Sequence, residues 1–191
     1  MTYKIHGYEP ARLFEHFEEF SAVPRGSGFE KEASDFLVAF AKERGLDVTQ
    51  DRYWNVIIKK PGSAGAEDKP PVILQGHIDM VCNQEETCSK DMASEGLDLV
   101  VEGDKIFAEG TTLGGDDGIA VAMMLALLSD RSLVCPPLEC VFTVDEEVGL
   151  YDDHARHHAD HLFLLVFPVT DGLGLVDMAQ GEVVIATAHL A

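Results

Sequence analysis

The sequence is short of positive charge and has no long apolar run. Its 14 Lys and Arg stand against 34 Asp and Glu, a net charge of −20. A surface with that balance repels nucleic-acid phosphates and anionic headgroups, so neither nucleic acid nor a membrane is an expected partner. Part of the acidic surplus is ordinary solubilising charge. No apolar run approaches the roughly 20 residues of a membrane-spanning helix. Residues Met1 to His6 lack the basic and apolar regions of a secretory signal, and a cytoplasmic location is the expectation. Cysteine is sparse: Cys82, Cys88, Cys135 and Cys140, with no C-x-x-C spacing. That argues against a zinc finger or a redox motif and for reduced thiols. Cys135 and Cys140 flank Pro136-Pro137 and read as structural. Internal repeats and low-complexity tracts are absent. The 191 residues suffice for one domain with a substantial core.

What is present alternates between helical and strand patterns. Residues 9–23 repeat Leu13, Phe14, Phe17 and Phe20 at helical spacing, and Pro24-Arg25-Gly26-Ser27-Gly28 breaks the pattern. Glu30 to Arg44 is a second amphipathic helix with Gly45 as its C-cap. Val48 to Lys60 has strand character, centred on Trp54-Asn55-Val56-Ile57-Ile58. Pro71 to Leu74 is a buried strand leading to Gly76-His77-Ile78-Asp79. Residues 83–110 are irregular, with a short hairpin around Gly103-Asp104. Ile119 to Leu128 is apolar nearly all round and reads as a buried helix. Leu138 to Val144 is another apolar strand, ending in Asp145-Glu146-Glu147. The alternation predicts an α/β fold: a mixed, partly parallel sheet flanked by helices, whose ligands gather beyond the carboxyl ends of strands.

Three apolar segments end in ligand-type residues, and their ends are expected to converge. His77 has a ring nitrogen for a metal or substrate, and Asp79 can hold the other nitrogen and set the tautomer. Alone, that pair is a weak signal and fits a hydrogen-bonded structural histidine better than a ligand. Gly114-Gly115-Asp116-Asp117-Gly118 can bring a carboxylate close to a metal, or be a tight turn with Asp at a helix start. Glu146-Glu147 can divide the work on an extended strand end, one binding metal and one facing water, or be a solvated acidic end. Together they supply what a hydrolytic metal site needs: His77, Asp116 and Glu147 as ligands, Asp116 suited to bridge two metals, and Glu146 as a general base.

Pro24-Arg25-Gly26-Ser27-Gly28, Leu74-Gln75-Gly76-His77-Ile78-Asp79-Met80-Val81-Cys82, Gly110 to Ile119 and Thr143 to Leu150 closely resemble the aminoacyl-histidine dipeptidases. This group, also called cytosolic non-specific or β-Ala-His dipeptidases, belongs to the co-catalytic zinc exopeptidases. The four motifs lie in the same order and spacing between about residue 9 and residue 150. The resemblance implies hydrolysis of small peptides, Xaa-His or broader, at two zinc ions that manganese or cobalt can replace. It implies His77 on one zinc, Asp116 bridging, Glu147 on the other, Glu146 as base and Asp79 orienting His77. A further aspartate after a strand completes the first metal shell in the family; Leu162 to Phe167 is the matching strand and Asp171 the matching acid, with Asp177 second.

After Leu150 the family pattern fades. Family enzymes are more than twice this length and carry a lid and dimerisation domain and a late histidine ligand. The expectation is that residues 1–191 form a single partial catalytic domain lacking both, with self-association open. A non-catalytic metal-binding or interaction module is the rival reading, and an aminoacylase-like exopeptidase a sibling. His154, His157, His158 and His161 form an i, i+3, i+4, i+7 stripe, either a solvated polar helix or a metal-binding face.

Overall fold

The computed structural model describes residues 4–5 and 7–149 with their side chains, and the backbone of Leu165–Val169 and Gly172–Val176. Two helices come first, α1 (Ala11–Ser21) and α2 (Lys31–Glu43). Each has one apolar face: Phe17 and Phe20 on α1, and Ala33, Leu37, Phe40 and Ala41 on α2 are buried. Gly45 turns the chain out of α2 at φ +68°, and the Leu46 N–H donates back to the Ala41 carbonyl.

A mixed four-stranded sheet follows, as expected. Its order is β1 (Asp47–Gln50), β2 (Val56–Lys60), β6 (Leu138–Thr143), β3 (Val72–His77). β1 pairs antiparallel with β2 and β2 with β6, whereas β3 and β6 run parallel, with His77 opposite Thr143. The strand-like stretch from Val48 to Lys60 is two strands and not one. Asp51 Oδ1 accepts the N–H groups of Tyr53 and Asn55, each at 2.9 Å, and folds the chain into a turn. Trp54, expected at the apolar centre of a strand, sits in that turn at φ +76°.

The connection from β3 to β6 holds the hairpin β4 (Leu99–Glu102) and β5 (Lys105–Ala108), turning at Gly103-Asp104, and then α3 (Gly115–Ser129). A parallel pair requires such a crossover. α3 packs on α1 and on β3. Its apolarity all round does not bury it all round: Ile119 is 39 % exposed. The main core joins Phe20, Leu37 and Phe40 with Val56, Ile58, Leu74, Cys140 and Phe142 from one sheet face and Val121 and Leu125 from α3. Lys60 Nζ donates to the Leu127 carbonyl at 2.7 Å, satisfying the C-terminal end of α3. All four cysteines are free, and Cys135 and Cys140 are buried.

Leu165–Val169 (β7) covers the later part of the strand expected at 162–167, and it pairs antiparallel with Gly172–Val176 (β8). Asp171, Asp177 and the stretch from His154 to His161 lie outside the described residues. Among the described residues no helix is long and apolar enough to cross a membrane.

Candidate metal centre

The parallel strands β3 and β6 end side by side, and the chemistry collects beyond their carboxyl ends. His77 closes β3 and is 7 % exposed. Its Nδ1 lies 3.1 Å from the main-chain oxygen of Asp79 and 3.3 Å from that residue's Oδ1. Both are acceptors only, so Nδ1 carries the hydrogen and Nε2 is the nitrogen turned outward. Nε2 faces Asp116 Oδ1 at 3.2 Å and Glu146 Oε2 at 3.9 Å.

Asp116 reaches this point from the start of a helix rather than from a strand end. Gly114, at φ +60°, swings the chain into α3. A Cβ at Gly114 would stand 2.4 Å from Arg25 Nη2 and 2.6 Å from Met80 Sδ, so only glycine fits the turn. Asp117 points inward, and its carboxylate accepts the N–H of Ala120, capping α3, and the N–H of His77, tying the helix start to β3. A Cβ on Gly76 would meet Asp117 Oδ2 at 2.7 Å. The bare backbone at Gly76 lets the helix start come this close.

Glu146 and Glu147 do not sit on an extended strand end. They open a single 3₁₀ turn, Glu146–Val148, entered through Asp145 at φ +59°. The turn is held from below by the fully buried Asp79. Its Oδ1 accepts the Glu146 N–H and its Oδ2 the Glu147 N–H, each at 3.2 Å, while Ser27 Oγ donates to Oδ2 at 2.8 Å. One carboxylate therefore orients both the imidazole and the turn. The tight turn keeps both glutamates near His77, where divergent strand positions would separate them.

The electrostatics follow from this crowding. Burial pulls the His77 imidazole down, but the hydrogen bond it donates to Asp79, the charges of Asp117 and Asp79, and the hydrogen bond to Asp116 outweigh it and lift it to about 9. Burial raises Asp79, and hydrogen bonds from His77, Ser27 and the Glu147 N–H overcome it and leave the carboxyl below its ordinary value. Burial lifts Asp117 to about 6, with neighbouring Asp116 adding to the rise. An excess of negative charge thus surrounds one imidazole.

One donor atom from each of His77, Asp116 and Glu147 lies within 4.8 Å of the others. Donors bound at about 2.0–2.2 Å to one cation stand about 3–3.5 Å apart, so small rotations of the two exposed carboxylates close the set. One imidazole nitrogen with carboxylate oxygens suits a divalent cation. Asp171 lies outside the described residues and enters no part of this geometry. Two residues here carried no assigned role in the sequence: Ser27, which supports Asp79, and Arg25, buried behind the site. Their signal was the Pro24-to-Gly28 segment, legible as a break between helices and as one of the four motifs of the resemblance.

No protein-family model matches the chain. The cytosol non-specific dipeptidase of Escherichia coli K12 is 37 % identical over 141 residues, 74 % of this chain and 29 % of the relative. The solved aminoacylhistidine dipeptidase of Vibrio alginolyticus superposes with a TM-score of 0.73 at 37 % identity, over 77 % of this chain and 30 % of that one. A Staphylococcus aureus tripeptidase superposes with a TM-score of 0.59 at 25 % identity, over 73 % of this chain and 37 % of that one. The fold is thus that of a group of dipeptidases and tripeptidases. Within that group the chain is a relative of the aminoacyl-histidine, or cytosol non-specific, dipeptidases, as its four motifs implied. It spans 29 % of the length of the E. coli relative.

Proposed function

We propose that this chain carries the metal-binding core of a dipeptidase that hydrolyses short peptides, Xaa-His or broader. The observation that supports it most is the convergence of His77, Asp116 and Glu147 from three separate segments onto one point, in a chain 37 % identical to a dipeptidase over 141 residues. On this reading His77 would hold one cation, Glu147 the other, and Asp116 would be shared between the two. Zinc is the ion proposed, with manganese and cobalt as substitutes that the same donors accept. A cation held here supplies Lewis acidity toward a peptide carbonyl and a lowered pKa for water.

The protein's own groups divide the remaining work. Nδ1–H of His77 stays on Asp79, which keeps Nε2 free as a ligand. The Glu146 carboxylate, half exposed and beside Nε2, accepts the proton of the water that attacks the carbonyl carbon. It then returns that proton to the leaving amine, and the peptide C–N bond breaks. Asp171 remains the proposed further ligand, on the resemblance alone. Residues 1–191 are proposed to form one partial catalytic domain. A cytoplasmic setting is proposed on the relative's name and the four free thiols.

The test combines elemental analysis of the purified chain, zinc titration and hydrolysis of β-Ala-His and a panel of dipeptides. The reading expects bound metal that depends on His77, and expects Glu146→Gln to leave metal content unchanged while abolishing whatever metal-dependent turnover this partial domain retains. A chain whose zinc affinity is the same with and without His77 would overturn it.

A further inference from the structure

Arg25 is the largest fully buried side chain among the described residues, 2 % exposed, in a protein with a large acidic surplus. A guanidinium out of water is unfavourable unless charges and acceptors replace its hydration. Here they come from the two segments that carry the site. Nη1 donates to the Ile78 carbonyl at 3.3 Å, on the His77–Asp79 strand end. Nη2 donates to the Gly114 carbonyl at 2.6 Å, in the turn that presents Asp116. The Arg25 main chain continues the link, its carbonyl accepting the Met80 N–H at 3.1 Å. The guanidinium carbon lies 4.9 Å from the centre of the Phe20 ring, which fixes the plane of the fork. Nε has no hydrogen-bond partner. Burial lowers the guanidinium to about 10, and the charges of Asp79, Cys82 and Asp117 act against that fall. The group therefore stays charged near neutrality.

We propose that Arg25 is a positioning residue of the metal site: its guanidinium fork clamps the His77–Asp79 strand end to the Gly114 turn. The clamp sets the gap between His77 Nε2 and Asp116. It touches neither the cation nor the substrate, and it rests on the reading of His77 and Asp116 as ligands. Two glycines give the geometry its specificity. A Cβ at Gly114 would stand 2.4 Å from Nη2 and one at Gly118 would stand 2.7 Å from it, so the fork occupies space that both residues leave open. The planar two-pronged donor matters and not the charge alone, since a lysine ammonium cannot reach both carbonyls in one plane.

The experiment compares the full chain with Arg25→Met, Arg25→Lys, Gly118→Ala and His77→Ala, by competition against a zinc chelator and by the visible spectrum of the cobalt-loaded protein. Circular dichroism and a melting curve establish folding. The expected result is at least a tenfold weaker zinc affinity and a changed cobalt spectrum in Arg25→Met, with Arg25→Lys restoring the affinity only in part. Gly118→Ala, which keeps the arginine and suits a helix, is expected to weaken zinc binding by displacing the fork. Wild-type affinity and spectrum in a folded Arg25→Met overturn the proposal. If Arg25→Met does not fold, Gly118→Ala decides instead, and wild-type affinity there overturns it. His77→Ala separates the two levels: unchanged zinc binding in that variant refutes the metal site itself, whereas its loss beside an unaffected Arg25→Met refutes only the clamp.

Discussion

The carboxylate of Asp79 lies 3.3 Å from Nδ1 of His77 and at the same time accepts the main-chain N–H groups of Glu146 and Glu147. A single buried acid thereby couples the orientation of one imidazole to the position of both glutamates.

Asp79→Asn should break that coupling with little change of volume. The amide offers one oxygen where four donors share two, and its NH₂ faces two of them. Zinc affinity should fall by about 10- to 100-fold, the usual cost of losing a partner that orients a metal ligand. Chelator competition on the variant measures this, and an affinity within twofold of the parent would contradict it.

His77 makes the stability of the metal-free protein depend on pH. Its folded value, about 9, lies above the ordinary 6.5. Protonation then favours the folded state, an advantage complete below about 6.5 and lost as pH rises to about 9. Asp117, also raised, to about 6 from 3.8, makes its own change below that window. Urea melts in chelator should show stability declining between pH 6.5 and 9, and His77→Gln should remove the slope.

Gly76→Ala places a methyl group 2.7 Å from Asp117 Oδ2 and 3.1 Å from Met124 Cε. Overpacking of this kind costs about 1–3 kcal/mol. Displacing Asp117 also loosens its tie to the His77 N–H, so weaker zinc binding should accompany the lower urea midpoint.

Lys60→Met tests the opposite end of the sheet. Lys60 pairs with Leu138 at the start of β6, away from the strand ends that carry the site. Loss of its bond to the Leu127 carbonyl should cost about 1–2 kcal/mol, as for a charge-assisted bond at a helix C-terminus. Thermal unfolding should shift while zinc affinity does not.

Much of the fold is legible in the chain because apolar runs report strands, and glycine and acid clusters report where they stop. His77, Asp79, Asp116, Glu146 and Glu147 stand out for that reason. The turn at Asp51 was hidden because a side chain, not the apolar pattern, decides it. The 3₁₀ turn at Glu146 was hidden because the acceptor that holds it lies 67 residues earlier. Arg25 stood in a recognisable motif, but its role was hidden because only the fold shows a single basic residue between proline and glycine to be buried.

The parallel pairing of β3 with β6 has a kinetic consequence. His77 and Asp116 are 39 residues apart in the chain and Glu147 lies beyond β6, so no local segment holds a complete donor set. Closing so long a crossover carries a loop-entropy barrier, and sheets built from distant strands form slowly. On the proposed reading, metal capture is therefore a late event, and the moment a refolding chain takes zinc from a weak chelator marks the pairing of β3 with β6.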